Sequence, residues 1–175
     1  MAAFGGGCRP AHHGGGCGCD DLDALLCDYE NSICAVTAHS PNGIKTVEVV
    51  VDSGAVQSVA PPGLFPGKVA PSAMSKTGKT FRAANGSRIR NLGQVRVDFT
   101  SSEGHRCSLP FQVAEVEHVL LSVSHLTRAG NTVELHAEGG KITNEVTGKT
   151  MDLARRGGVY ILRLKVSGFP RPGAA

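Results

Sequence analysis

The stretch Val49-Val50-Val51-Asp52-Ser53-Gly54-Ala55-Val56-Gln57-Ser58-Val59 decides how this chain is read. Three consecutive valines predict a strand buried on both faces, because a half-buried strand would alternate apolar and polar side chains. The run then ends abruptly in an acid, a hydroxyl and a glycine before apolar character returns. A carboxylate at the end of a buried strand is costly unless partners satisfy it. Ser53 and Gly54 suit that need: a serine hydroxyl hydrogen-bonds back to nearby backbone, and glycine turns where other residues resist. Taken locally, the tetrapeptide equally fits an ordinary Asp-Ser-Gly surface turn.

Working outward, strand-like residues 33–38 and 44–51 flank Ser40-Pro41-Asn42-Gly43, and Asn-Gly between apolar runs predicts a hairpin. That hairpin delivers Asp52 to the end of its second strand. Residues 60–80, with Pro61, Pro62, Gly63, Pro66, Gly67 and Pro71, predict a long loop without regular structure, pinned to the core by Leu64 and Phe65. A second Asn-Gly hairpin follows at Ala83-Ala84-Asn85-Gly86. Behind it Val95, Val97 and Phe99 alternate with Gln94, Arg96 and Asp98, a strand with one wet face. Residues 105–113 and 119–123 predict further strands, and residues 124–129 a short helix stopped by Gly130. Four more short strands are expected at 132–135, 141–144, 149–154 and 159–166. Many short strands with glycine-bearing turns mean an all-β chain, a small barrel or sandwich.

Composition agrees. The 175 residues include no tryptophan and 23 glycines, so small and β-branched side chains must do most of the packing. One domain plus tails is the default at this length. A net charge of +3 is far from the basic stripe of a nucleic-acid binder, and no apolar run is long enough to cross a membrane. Neither nucleic acid nor membrane is an expected partner of the domain. Met1-Ala2-Ala3-Phe4-Gly5-Gly6-Gly7 lacks the basic start and apolar middle of a signal peptide. The six cysteines are therefore expected to be reduced, in a cytoplasmic setting.

Residues 1–30 form a Gly/Cys/His-rich tail, 31–166 the domain, with a core at 33–135 and extra strands at 136–166, and 167–175 a Pro/Gly tail. Cys8, His12, His13, Cys17, Cys19 and Cys27 lack the regular spacing that zinc sites prefer, and neither metal nor cofactor is expected. The scattered histidines His39, His105, His118, His125 and His136 lie near no nucleophile motif. Arg82, Arg88, Arg90 and Arg96 gather around the second hairpin as a solvated face, one that could attract an acidic substrate segment.

The order of parts resembles the retropepsin-like aspartic proteases, and within them the protease region of copia-type retrotransposon polyproteins. The resemblance rests on Val50-Val51-Asp52-Ser53-Gly54-Ala55 and on the flap-like Ala83-Ala84-Asn85-Gly86 with Leu92-Gly93-Gln94-Val95 behind it. It rests also on Leu120-Leu121-Ser122-Val123-Ser124-His125-Leu126, with Gly158-Val159-Tyr160-Ile161-Leu162 later in the chain. It implies a closed β-barrel carrying half of an active site. Asp52 would be catalytic, Ser53, Gly54 and Ala55 would support its loop, and Ala84, Asn85 and Gly86 would form a flap over a polypeptide substrate. Peptide hydrolysis at such a site uses two carboxylates sharing one proton. This chain has a single Asp-Ser-Gly, since Asp98 and Asp152 are not followed by that pair, so a homodimer with both Asp52 side chains at the twofold axis is expected. Many viral relatives carry acids after the alanine, where Val56 and Gln57 stand here. The alternative is a retropepsin-fold dimerisation or binding module without catalysis.

Overall fold

The computed structural model describes residues 43–170. The expected strand at 33–38 and the Cys/His-rich tail lie outside them. Ten strands make up nearly all the regular structure: β1 Lys45–Asp52, β2 Val59–Ala60, β3 Thr80–Arg82, β4 Arg88–Thr100, β5 Arg106–Ala114, β6 Leu120–Ser122, β7 Asn131–His136, β8 Gly139–Asn144, β9 Thr150–Arg156 and β10 Val159–Val166. Two short helices interrupt them, α1 Ala73–Lys76 and α2 Val123–Arg128. The chain is all-β. Among the described residues no helix is long and apolar enough to cross a membrane.

Strand β1 is buried on both faces, as its valines predict. Val47, Val49 and Val51 enter the main core with Phe99, Phe111, Leu121, Leu162 and Leu164, while Val50 is buried on the opposite face. That opposite face also carries Glu48, only 5% exposed. Its carboxylate is held by Arg156 at 2.9 and 3.2 Å and by Arg163 Nε at 3.1 Å. A buried carboxylate without such partners would be strongly unfavourable, so this fork ties β9 and β10 to β1.

The sheet order is β3-β4-β5-β2-β6-β1-β10-β9-β8-β7, and β4 pairs a second time with β10. Six strands, β4-β5-β2-β6-β1-β10, therefore form a circuit that returns on itself. Followed one way, Val50 is level with Leu120, Val59, Gln112 and Gln94, an offset of 44 along the chain. Followed the other way, Thr46 is level with Lys165 and Thr100, an offset of 54. The strands are thus staggered by ten residues around the circuit. Strand β10 is an inner member of it, paired with β1 from Lys45↔Val166 to Val51↔Tyr160 and with β4 at Phe99 and Thr100.

The proline-rich stretch is more ordered than its composition predicts. Ala60 belongs to β2, and residues 73–76 form a one-turn helix, where a structureless loop was expected over 60–80. The signal is at Ser72, whose hydroxyl accepts from Ser75 N–H while the Ser75 hydroxyl accepts from Ser72 N–H. This is a capping box with serine in the place usually taken by Glu or Gln. Buried Gln112 holds the loop from below: its Oε1 accepts from Ser72 Oγ at 2.8 Å and from Asn91 Nδ2 at 2.9 Å. Phe65 is buried against Phe111, ring centroids 5.1 Å apart, and Leu64 packs at the core's edge, as expected. A bulge in β4 between Asn91 and Gly93 lets Ala70 pair with Gln94. Gly93 is required there, with φ 140° and no room for a Cβ, which would lie 2.6 Å from the Ala70 carbonyl oxygen.

Candidate active site

Asp52 is the last residue of β1, in parallel register with Ser122 at the end of β6. It is half-buried, and the loop beyond it is open, with Ser53 and Gly54 exposed and Val56 70% exposed. The carboxylate Oδ1 accepts a 2.7 Å hydrogen bond from Gly54 N–H. Gly54 is not among the glycines with positive φ; its use in the turn is closeness, since a Cβ there would lie 3.3 Å from Asp52 Oδ1. The bond back to backbone expected of the Ser53 hydroxyl is absent among the described residues. The Asp52 carboxylate makes the corresponding turn instead.

The loop is clamped further on by a residue that the resemblance included without giving it a role. Ser122 is fully buried, and its hydroxyl donates to the Ala55 carbonyl at 2.6 Å. The same oxygen accepts from His125 N–H at 3.1 Å, capping α2, while Ser122 N–H donates to Ser58 Oγ at 3.1 Å. Ser58 in turn accepts, through its carbonyl, from Gln112 N–H at 2.9 Å. Residues 52, 55 and 58 are thus each fixed by a separate bond, and only the lip between them faces outward. The available signal was the position of Ser122 after Leu120-Leu121 and three residues before His125, where a helix cap belongs.

The hairpin carries Ala84, Asn85 and Gly86 at its tip, all exposed. Ala83 accepts from Gly86 N–H and donates to the Ser87 carbonyl, each at 2.9 Å, and Asn85 Oδ1 accepts from Ser87 N–H at 3.0 Å. Gly86, at φ 84°, takes the left-handed position that such a turn needs. No hydrogen bond or ion pair among the described residues joins this hairpin to the Asp52 loop. The two candidate parts are built separately within one chain.

The other internal acids are placed elsewhere. Asp98 is exposed on β4, paired with Ser108 two residues short of Thr100, which is level with the Lys45 end of β1 rather than the Asp52 end. Asp152 is exposed on β9 opposite Lys141. Among the described residues no three His, Cys, Asp or Glu side chains gather to hold a metal ion. Of the three aspartates among the described residues, Asp52 alone follows a buried strand onto an open loop, one held by the bonds at Asp52, Ala55 and Ser58. Comparison with protein-family models, with curated proteins and with solved structures found no match.

Proposed function

We propose that this chain is half of a retropepsin-like aspartic endopeptidase, working as a homodimer on polypeptide substrates, foremost a retroelement polyprotein. The observation that carries the reading is Asp52 itself. It ends a strand buried from Val47 to Val51, on a loop clamped by Ser122 and Ser58, half-buried itself and followed by exposed Ser53 and Gly54. Such a carboxylate is neither dispersed in solvent nor covered by its own chain, so a second copy has access to it. The six-strand circuit with its ten-residue stagger supports a small closed barrel as the scaffold. The 70% exposed Val56, further along the Asp52 loop, supports a self-complementary contact across a twofold axis.

In that dimer two Asp52 carboxylates share one proton, because like charges so close do not both ionise. The ionised one takes a proton from the attacking water, and the protonated one hydrogen-bonds the scissile carbonyl. Gly54 N–H holds one carboxylate oxygen in place while the other is left to react. The Ala84-Asn85-Gly86 tip closes over the substrate and excludes water.

Purified protein should sediment as a dimer and cleave unfolded polypeptide at mildly acid pH, and Asp52→Asn should reduce cleavage to background while leaving the dimer intact. Cleavage retained by Asp52→Asn removes the reading. A dimer that cleaves nothing in a peptide library and binds no statine-type inhibitor points instead to the non-catalytic module, which exposed Val56 would serve equally well.

A further inference from the structure

The chain's charge is unevenly placed along its length. Between Asp52 and Asp98 there is no acidic residue, yet seven lysines and arginines fall in that stretch, all of them exposed. Three of these lie on one face of one hairpin. In the β3–β4 ladder Arg82 stands directly opposite Arg88, and Thr80 opposite Arg90, so Arg82, Arg88 and Arg90 share a face while Phe81 and Ile89 occupy the other. Like charges directly opposite across two strands disfavour the pairing. None of the three arginines has a carboxylate partner among the described residues. Lys79, exposed and next to the start of β3, adds a fourth cation. A two-stranded ribbon that keeps this repulsion gains from an anionic occupant.

The chain carries one of matching sign. Residues 1–42 contain five acids, Asp20, Asp21, Asp23, Asp28 and Glu30, against the single basic residue Arg9. Glu30 and Gly43 are 13 residues apart, a separation that spans at most about 43–47 Å when extended. Strand β4, from the level of the β1 start back to the hairpin, covers about 40 Å by its residue count. The tether therefore reaches. Exposed ion pairs are individually weak, but a tethered partner acts at an effective concentration on the order of millimolar. The same face carries no aromatic ring for bases to stack on, which disfavours a single-stranded nucleic acid as occupant.

We propose that the arginine face of the β3–β4 hairpin is the docking site of the chain's own acidic segment, residues 20–30. Docking there screens the Arg82–Arg88 repulsion and restrains the hairpin. This docking rests on charge and register alone and is independent of Asp52 chemistry.

The test is carbodiimide coupling of the full chain, which joins lysine amines to carboxylates in contact, read by peptide mass spectrometry. Couplings from residues 20–30 should concentrate on Lys79 and Lys76 and fall at least tenfold both in about 0.5 M salt and in the Arg82→Glu/Arg88→Glu variant. Should that variant lose its strand circular dichroism, Asp20→Asn/Asp21→Asn/Asp23→Asn tests the same contact from the other side. It should lower coupling of Asp28 and Glu30 to Lys79 by a similar factor. Couplings spread evenly to Lys45, Lys141 and Lys149, or unchanged by charge reversal, overturn the proposal. So do couplings found only between isotopically light and heavy copies, or couplings stripped by an equimolar short single-stranded RNA.

Discussion

Ser122 shows how much one hydroxyl organises. It ties the Asp52 loop to the first turn of α2 through the Ala55 carbonyl and His125 N–H. Ser122→Ala leaves the part-buried Ala55 carbonyl without this bond and α2 uncapped, and should cost about 2 kcal/mol in urea unfolding. The loss of cleavage in the proposed enzyme should be larger than this stability change explains, because the loop would no longer hold its carboxylate still. Cys107 offers a second check at this scale. Burial pushes its thiol up from the ordinary value, Glu103 adds to that effect, and Lys149 opposes it. Near pH 8 it should react with iodoacetamide several-fold more slowly than unfolded chain, read on the Cys107 peptide. Glu103 behaves in the opposite sense. Its slight burial raises its pKa, but hydrogen bonds from Asp152 N–H, Ser101 and its own N–H, with the nearby His105 charge, outweigh this and leave it lowered. A lowered carboxyl stabilises the fold above its unfolded value and loses that contribution as pH falls through its folded value. Glu103→Gln should therefore flatten the acid limb of a thermal-melt pH series while changing little in the alkaline limb. Asp52 was legible in the sequence because an acid after three valines is anomalous. The role of Ser122 was hidden because a serine shows no clamp until its long-range partner Ala55 is known.

Among the elements, those with a repeating pattern were the ones that could be read. Val95, Val97 and Phe99 announced β4, and the valines announced β1, because periodicity is local information. The helix Ala73–Lys76 was masked by the prolines around it, since its only marker was the pair Ser72 and Ser75. Glu48 was unreadable as a buried residue, since its partners Arg156 and Arg163 lie 108 and 115 residues away. The double variant Arg156→Ala/Arg163→Ala strands that carboxylate inside the protein and should cost roughly 3 kcal/mol or more in chemical denaturation. Replacing Glu48, Arg156 and Arg163 together by apolar residues of similar size should recover much of the loss, which a contact-counting view would not expect.

At the scale of the molecule, the strands at 136–166 read from sequence as additions to a core at 33–135, yet β10 lies between β1 and β4 and β4 has no other closing partner. A chain ending after Arg156 should lose cooperative unfolding altogether rather than shed a peripheral piece, as a urea titration would show. That closure follows from pairing between distant residues and leaves no local trace. It also sets a schedule for biosynthesis. Lys45 emerges 121 residues before its partner Val166, and at about 5–20 residues per second a ribosome takes roughly 6–24 s to make up the difference. Throughout that interval the valine-rich first strand has an unsatisfied edge and a sticky face. Nascent chains should consequently be captured by holdase chaperones and lost to aggregation when translation stalls late, whereas completed ones escape both fates within moments of release.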